Sequence, residues 1–285
     1  MSTETRHSMK SGASGEQRTT RKITLAVLRQ MRLEQRPIAM LTCYDFPTAQ
    51  ILADAGVPLL LVGDSAATTV LGEKSTVHAT MDFMLTITRA VRKGAPGVFL
   101  LADMPFGSYP TVETAVENAR RFLSEAGADA VKMECDRRQE PMIAAMSAAG
   151  IPVCAHLGLL PQHVAQEGSY RYRGRTQEEA DRLVADGVAL VKAGAVLILL
   201  EAVPDTVSRR MVEAVDCPVL GCGAGPSCHG HVVVLHDMLG LSSQTPRFVE
   251  RLADLPSVIS QAARTWVSTV ENREYPAARH QYPIK

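Results

Sequence analysis

Between Ile23 and Arg32 apolar residues recur at helical spacing (Leu25, Val27, Leu28, Met31), which predicts an amphipathic helix. Beyond it, short apolar runs rich in Leu and β-branched residues alternate with longer helical stretches. The runs at 39–45, 59–65, 98–104, 129–135, 152–158, 196–202, 218–223 and 232–237 read as strands. Helices are predicted at 46–55, 81–93, 111–126, 140–149, 178–193 and 206–215. Several close on Ala-Gly (Ala55-Gly56, Ala126-Gly127, Ala149-Gly150, Ala193-Gly194), and a glycine just past a helix end supplies the left-handed cap. The strand runs are nearly continuous in apolar residues, as in a parallel sheet covered on both faces. Eight such units in one chain predict an α/β fold, a closed (β/α)8 TIM barrel. A doubly wound open sheet is the alternative. The Gly-rich turn Gly221-Cys222-Gly223-Ala224-Gly225 follows a strand, but it comes late and no strand bearing a ribose-binding acid follows it.

Residues 1–20 are polar and too poor in apolar side chains to offset the entropy of ordering, so a disordered tail is expected ahead of a single barrel catalytic domain over 21–285. The chain has 285 residues, 46% of them hydrophobic, enough for a full barrel core. Thirty basic residues balance thirty acidic ones, so no overall field draws nucleic acid or an anionic membrane. No apolar run approaches the ~20 residues of a membrane span, and the N-terminus lacks a signal-peptide pattern. Six scattered cysteines, most inside apolar runs, read as reduced thiols of a cytoplasmic protein.

The chemistry of such a barrel gathers at the C-terminal ends of its strands. Here the runs end on Asp45, on Asp64 and Ser65, on Asp103, on Lys132 and Glu134, on Glu201, and on His236 and Asp237, while the fifth carries His156. Any one of these could be a helix cap or a loop ion pair. A whole ring of ionisable groups on apolar strands would be costly unless the groups share a solvated or metal-bound site. Asp64, Asp103 and Glu134 suit a hard cation such as Mg²⁺. A 2-oxo acid chelates such an ion through carboxylate and ketone oxygens, and the ion stabilises the enolate formed when the adjacent carbon loses a proton. Glu201 is the candidate base. Lys132 either neutralises a substrate carboxylate or pairs with a neighbouring acid, and the two roles are compatible. The stretch holding Cys217, Cys222, Cys228, His229, His231 and His236 allows a zinc site but lacks a C-x-x-C pair. Arg171, Arg173 and Arg175 alternate, so in an extended segment they would share a face that could hold an anion; a solvated loop is the other reading.

The segments LTCYD, LLLVGDSAA, LLADMPFGSY, AGADAVKME, IPVCAHLGLLPQ, LILLEAVP, GCGAGP and VLHDMLGL, in this order over residues 22–280, resemble the ketopantoate hydroxymethyltransferase family. The resemblance implies transfer of a hydroxymethyl group from 5,10-methylenetetrahydrofolate to the 2-oxo acid 3-methyl-2-oxobutanoate, a step of pantothenate synthesis. It implies a homo-oligomer, a decamer of two pentameric rings. By position it assigns Asp64, Asp103 and Glu134 to magnesium, Asp64, Ser65, Asp103 and Lys132 to substrate, Glu201 to proton acceptance and His156 to the active site. The departures lie in loops. Glu73-Lys74 follows Gly72 where the family has an aromatic or His, then Asp. His78 replaces a Pro. Cys135-Asp136 replaces Gly-Gly. Gly168-Ser169-Tyr170-Arg171-Tyr172-Arg173-Gly174 alters Gly-Gly-[Tyr/Phe]-x-Val-Gln-Gly. Cys222 replaces Ile, and His229-Gly230-His231 replaces Asp-Gly-Gln. These changes open a second expectation, the same reaction on a more polar 2-oxo acid. A lyase or mutase of the phosphoenolpyruvate mutase/isocitrate lyase type shares the barrel and magnesium logic, but the chain has no Lys-Lys-Cys-Gly-His-like run. A non-catalytic relative would not need the retained Asp64, Asp103, Glu134 and Glu201.

Overall fold

Eight parallel strands close in chain order into one barrel in the computed structural model, which describes residues 22–163 and 171–284. The strands are β1 (Ile38–Thr42), β2 (Leu59–Val62), β3 (Phe99–Asp103), β4 (Ala130–Glu134), β5 (Val153–Gly158), β6 (Leu197–Glu201), β7 (Val219–Cys222) and β8 (Gly230–Val233). The barrel closes where Ile38, Ala39, Met40 and Leu41 pair with Gly230, His231, Val232 and Val233. Gly230 has no substitute there, because a Cβ would lie 2.1 Å from the Ile38 carbonyl oxygen. The polar segment 1–20 and Gly168, Ser169 and Tyr170 lie outside the described residues.

The helices are α1 (Leu25–Leu33), α2 (Phe46–Asp54), α3 (Ala66–Thr69), α4 (Met81–Gly94), α5 (Val112–Ser124), α6 (Glu140–Ala148), α7 (Gln177–Lys192), α8 (Asp205–Ala214), α9 (Leu235–Met238) and α10 (Leu255–Glu271). Threonine caps start four of them: Thr24, Thr80, Thr111 and Thr176 each accept a hydrogen bond from a backbone N–H of the first turn. The apolar residues divide into two cores. One lies between strands and helices. The other fills the barrel interior with Met40, Leu59, Leu61, Phe99, Leu101, Leu197, Leu199 and Leu220, closed off by Leu28 and Met31 of α1.

This interior core explains where the polar residues point. Strand side chains alternate faces with period two. Phe99 and Leu101 pack inside, so Asp103 continues the same face. By the same count Ala130 leads to Lys132 and Glu134, Cys154 to His156, Leu197 and Leu199 to Glu201, and Leu220 to Cys222. The site is thus the last layer of the barrel interior.

Two expected boundaries shift. The last strand spans Gly230–Val233 rather than 232–237, and Leu235–Met238 is the short helix α9. Leu235 leaves the sheet by donating its N–H to Thr42 Oγ1 at 3.0 Å. Asp45 ends no strand; its carboxylate caps α2 by accepting from Thr48 N at 2.9 Å. Outside the barrel, β1 and β8 are less covered than the other strands: Ala39 and His231 are exposed, and Leu41 and Val233 are half-buried. All of α10 except Leu255 and Thr269 is exposed, including Val258, Ile259, Trp266, Val267 and Val270. Among the described residues no helix is long and apolar enough to cross a membrane. All six cysteines are free.

Candidate active site

Asp64, Asp103, Lys132, Glu134 and His156 are all buried, and with Ser65 and Glu201 they line one inner chamber of about 150 Å³ at the C-terminal end of the barrel. The ring expected from the strand ends is therefore assembled, apart from Asp45, which caps a helix, and His236, whose ring lies 5.4 Å from that of Tyr44. Asp237 also lines the chamber, from α9.

Lys132 stands at the centre. Its ammonium lies 2.8 Å from Asp103 Oδ1 and 3.3 Å from His156 Nδ1. Burial opposes its charge, but Asp103 and Asp64 outweigh burial and hold it above the usual lysine range. The other Asp103 oxygen accepts from the Asp64 N–H at 3.0 Å. Burial first, then the Asp103 charge, push Asp64 up to about 8. Two carboxylates this close resist carrying two charges without a cation.

An ammonium can only donate, so Nδ1 of His156 accepts and the ring proton sits on Nε2. Nε2 lies 3.3 Å from Glu201 Oε2. Burial, then Lys132, lower His156 to about 3. Its contact with Glu201 is therefore that of a neutral ring, not an ion pair. Burial raises Glu201 to about 7. The chain turns sharply around this acid. Ala202 adopts φ 47°, a left-handed conformation uncommon outside glycine. Gly158, at φ 98°, lies so close that a Cβ would meet the Glu201 carbonyl oxygen at 2.3 Å.

Several residues of the site escaped the reading of strand ends. Gln162 is buried and donates its backbone N–H to Glu134 Oε1 at 2.9 Å and its side-chain amide to Asp64 Oδ2 at 2.8 Å. His163 Nδ1 meets Glu134 Oε2 at 2.7 Å, and this carboxylate raises the imidazole above its ordinary value. Tyr44 and Ser65 share a hydrogen bond of 2.7 Å between their hydroxyls. The available signal for Gln162 was its place right after the fifth apolar run, in Leu160-Pro161-Gln162. Phe248 and Pro246 arrive from a segment after the last strand that carries no periodic pattern.

Phe248 and Pro246 stand, with Glu201, on the border of a second, outer chamber of about 890 Å³. Its lining includes Leu159, Tyr172, Val203, Pro204 and Arg247. Glu201 is the acid that both chambers share.

The loop departures are mostly accounted for locally. His78 Nδ1 lies 3.0 Å from Glu73 Oε2, so two of them pair with each other. Asp136 caps a short turn by accepting from Arg138 N at 2.8 Å. The three alternating arginines have different surroundings: Arg175 lies 5.4 Å over the Tyr172 ring, Arg171 is exposed, and Arg173 lines a small cavity beside Glu134 and His163. Among the described residues no three His, Cys, Asp or Glu side chains are arranged to hold a metal ion. The zinc alternative thereby lacks a site, and Glu134 already accepts at both oxygens.

The barrel itself is shared widely. The phosphoenolpyruvate phosphomutase from Streptomyces platensis subsp. rosaceus superimposes with a TM-score of 0.61 at 16% identity, over 91% of this chain and 92% of that one. A 2,3-dimethylmalate lyase of the PEP mutase/isocitrate lyase superfamily gives 0.57 at 17%, over 91% and 90%. At these identities the likeness is one of fold. Sequence separates the chain from them. It is 46% identical to the 3-methyl-2-oxobutanoate hydroxymethyltransferase of Frankia alni, over 86% of this chain and 81% of that relative. It is 43% identical to the enzyme of the same name from Syntrophus aciditrophicus, over 92% and 97%, and 41% to that of Geotalea daltonii, over 91% and 98%. The family model described as ketopantoate hydroxymethyltransferase matches residues 22–278, a span that contains every residue of the two chambers. With the barrel common to many enzymes and the sequence shared with these, the chain belongs to the ketopantoate hydroxymethyltransferase family.

Proposed function

We propose that the protein transfers a hydroxymethyl group from 5,10-methylenetetrahydrofolate to 3-methyl-2-oxobutanoate, giving 2-dehydropantoate for pantothenate synthesis, with Mg²⁺ at the inner chamber. The observation that carries this reading is Glu201, a half-buried acid raised to about 7 and shared by a small inner and a large outer chamber. Such an acid is matched to taking a proton near neutral pH. The inner chamber, about 150 Å³, suits a small branched acid; the outer, about 890 Å³, lies within the range of sites for larger ligands.

The residues present fit a magnesium ion. Asp64 Oδ1 accepts no hydrogen bond among the described residues, and the mutual repulsion of Asp64 and Asp103 is what a divalent cation relieves. Asp64 and Asp103 would hold it, with Glu134 behind them. Two carboxylates plus substrate oxygens and water are the usual company of Mg²⁺. When bound, the ion supplies positive charge at the carboxylate and ketone oxygens of the 2-oxo acid. Lys132 adds a fixed charge on the same side, and the Ser65 hydroxyl is a further donor. Glu201 removes the C3 proton on the opposite side. Neutral His156, with its proton on Nε2, orients Glu201 and can donate to the acid it faces. C3 then forms its new bond to the one-carbon unit presented from the outer chamber, and a water provides the hydroxyl oxygen; both carbon–nitrogen bonds to the folate break, and tetrahydrofolate leaves with the proton taken from C3 and one from the water. Phe248 and Pro246 shield the carbanion face from bulk water.

Away from the acids, the inner chamber is lined by Leu61, Leu199, Val232, Val233 and Phe248. An alkyl substituent suits this wall better than a polar one, which favours 3-methyl-2-oxobutanoate over a more polar 2-oxo acid. The test is exchange of the C3 proton with D₂O, without folate. Exchange of 3-methyl-2-oxobutanoate that depends on Mg²⁺, and a product heavier by one hydroxymethyl once the folate is added, are expected. Absence of exchange with this acid, or faster turnover of polar 2-oxo acids, overturns the reading.

We further propose a homo-oligomer, a decamer by family resemblance, working in the cytoplasm. The uncovered β1–β8 seam and the exposed apolar face of α10 in the same chain support it. A second copy's α10 laid on that seam would bury both, which no contact among the described residues of one chain does. Six free cysteines accord with a reducing compartment.

A further inference from the structure

We infer that Tyr109 and Gln162 form a positioning pair that sets the orientation of Asp64, and through it the affinity for the divalent ion. The inference rests on the reading of Asp64 as a ligand of that ion.

The side-chain amide of Gln162 faces three groups. Its Nε2 lies 2.8 Å from Asp64 Oδ2 and 3.1 Å from the Met104 carbonyl oxygen, and its Oε1 lies 2.6 Å from the Tyr109 hydroxyl. The Met104 carbonyl can only accept, and so can Asp64 Oδ2 in the ionised carboxylate that would hold the ion. Only one of the two amide orientations therefore satisfies all three contacts: nitrogen to Asp64 and Met104, oxygen to Tyr109. The reverse would set the amide oxygen against two acceptors in a buried site, where unpaired polar groups are costly. The two acceptors select the orientation, and Tyr109, whose hydroxyl can donate or accept, holds it by donating to the amide oxygen.

The consequence falls on Asp64. One of its oxygens is occupied by Gln162, and the other is left facing the chamber. The same residue, through its backbone N–H, occupies Glu134 Oε1. One buried residue after β5 thus holds two of the three acids, Asp64 by its side chain and Glu134 by its backbone, and Tyr109, from the segment after β3, locks that side chain.

The test uses Mn²⁺ as a probe, read by the electron paramagnetic resonance of the free ion, on the full chain. Tyr109→Phe keeps the ring and removes the hydroxyl. It should weaken Mn²⁺ binding about 5-fold, Gln162→Leu about 10-fold, and the double variant no more than Gln162→Leu alone. C3 proton exchange in Tyr109→Phe should return at saturating Mn²⁺, and its melting temperature should stay near that of the wild type. Additive losses, or losses that track melting temperature, overturn the pairing. Asp64→Asn separates the two readings. If it loses Mn²⁺ while Tyr109→Phe and Gln162→Leu bind like the wild type, the pair has no positioning role and Asp64 remains a ligand. If the wild type itself binds no Mn²⁺, both readings fall. Should Gln162→Leu fail to fold, Tyr109→Phe decides alone.

Discussion

Glu201 Oε2 lies 3.3 Å from Nε2 of His156, a histidine that burial and the neighbouring Lys132 keep neutral. The base of the proposed reaction is therefore oriented by a ring that does not carry positive charge. A charged imidazolium there would stabilise the carboxylate and lower its proton affinity. A neutral ring leaves Glu201 near 7, where it can both take and return a proton. The cation that does stand in the chamber, Lys132, is placed on the side of Asp103.

Exchange of the substrate C3 proton should rise with pH through about 7, as Glu201 loses its proton. Glu201→Gln should abolish exchange and leave Mn²⁺ affinity within about 2-fold. The same variant should be more stable than the wild type above pH 7. The folded-state value is raised, so the folded protein binds the proton more tightly than the unfolded chain. Wild-type stability therefore falls as pH rises between the ordinary glutamate value and about 7. Relief of about 1–2 kcal/mol at pH 8, allowing for the carboxylate's partial access to water, is expected from paired thermal melts, and it should vanish at pH 4. Surviving exchange would mean that the base is another residue.

Lys132→Met should strand Asp64 and Asp103 without a counter-charge. Losing one partner of a buried ion pair costs about 3–5 kcal/mol. The carboxylates would then hold protons more tightly in the folded state, so the loss should be largest at pH 8 and shrink towards pH 4. Added Mg²⁺ should recover part of it. Denaturant melts across this range read both effects, and a loss independent of pH would contradict the assignment.

Gly158→Ala should lower stability by about 2–4 kcal/mol, from the left-handed backbone and the overlap with the Glu201 carbonyl. C3 proton exchange should fall by more than 10-fold even in the folded fraction, because the overlap displaces the strand end that carries the base. Exchange at the wild-type rate would show that the approach of β5 to Glu201 is not critical.

Val267→Asp, on the exposed apolar face of α10, should reduce the sedimentation coefficient to that of a smaller species. The barrel's circular dichroism should be retained. An unchanged oligomer would place the subunit contact elsewhere.

Much of this molecule was readable along the chain. The eight apolar runs, the Gly-closed helices and the acids at the run ends implied the barrel and named Asp64, Asp103, Lys132, Glu134, His156 and Glu201. The reading failed where local pattern carries no information. In a fully covered strand, inward and outward positions are both apolar, so the face on which Cys222 lies was not legible. Asp45 and Asp64 look alike as acids after apolar runs. One caps a helix and the other enters the chamber.

The sequence by itself determined the order of elements, because hydrophobic period and capping are local properties of neighbouring residues. It also determined which strands carry acids, since each needs only its own chain position. Tertiary structure alone decided that Lys132 stands between Asp103 and His156, and that Glu201 sits between two chambers. It alone brought Gln162 onto Asp64 with Tyr109 behind it, and left the β1–β8 seam and α10 bare among the described residues. These relationships join residues that are tens to hundreds of positions apart, and only closing the barrel sets the distances between them.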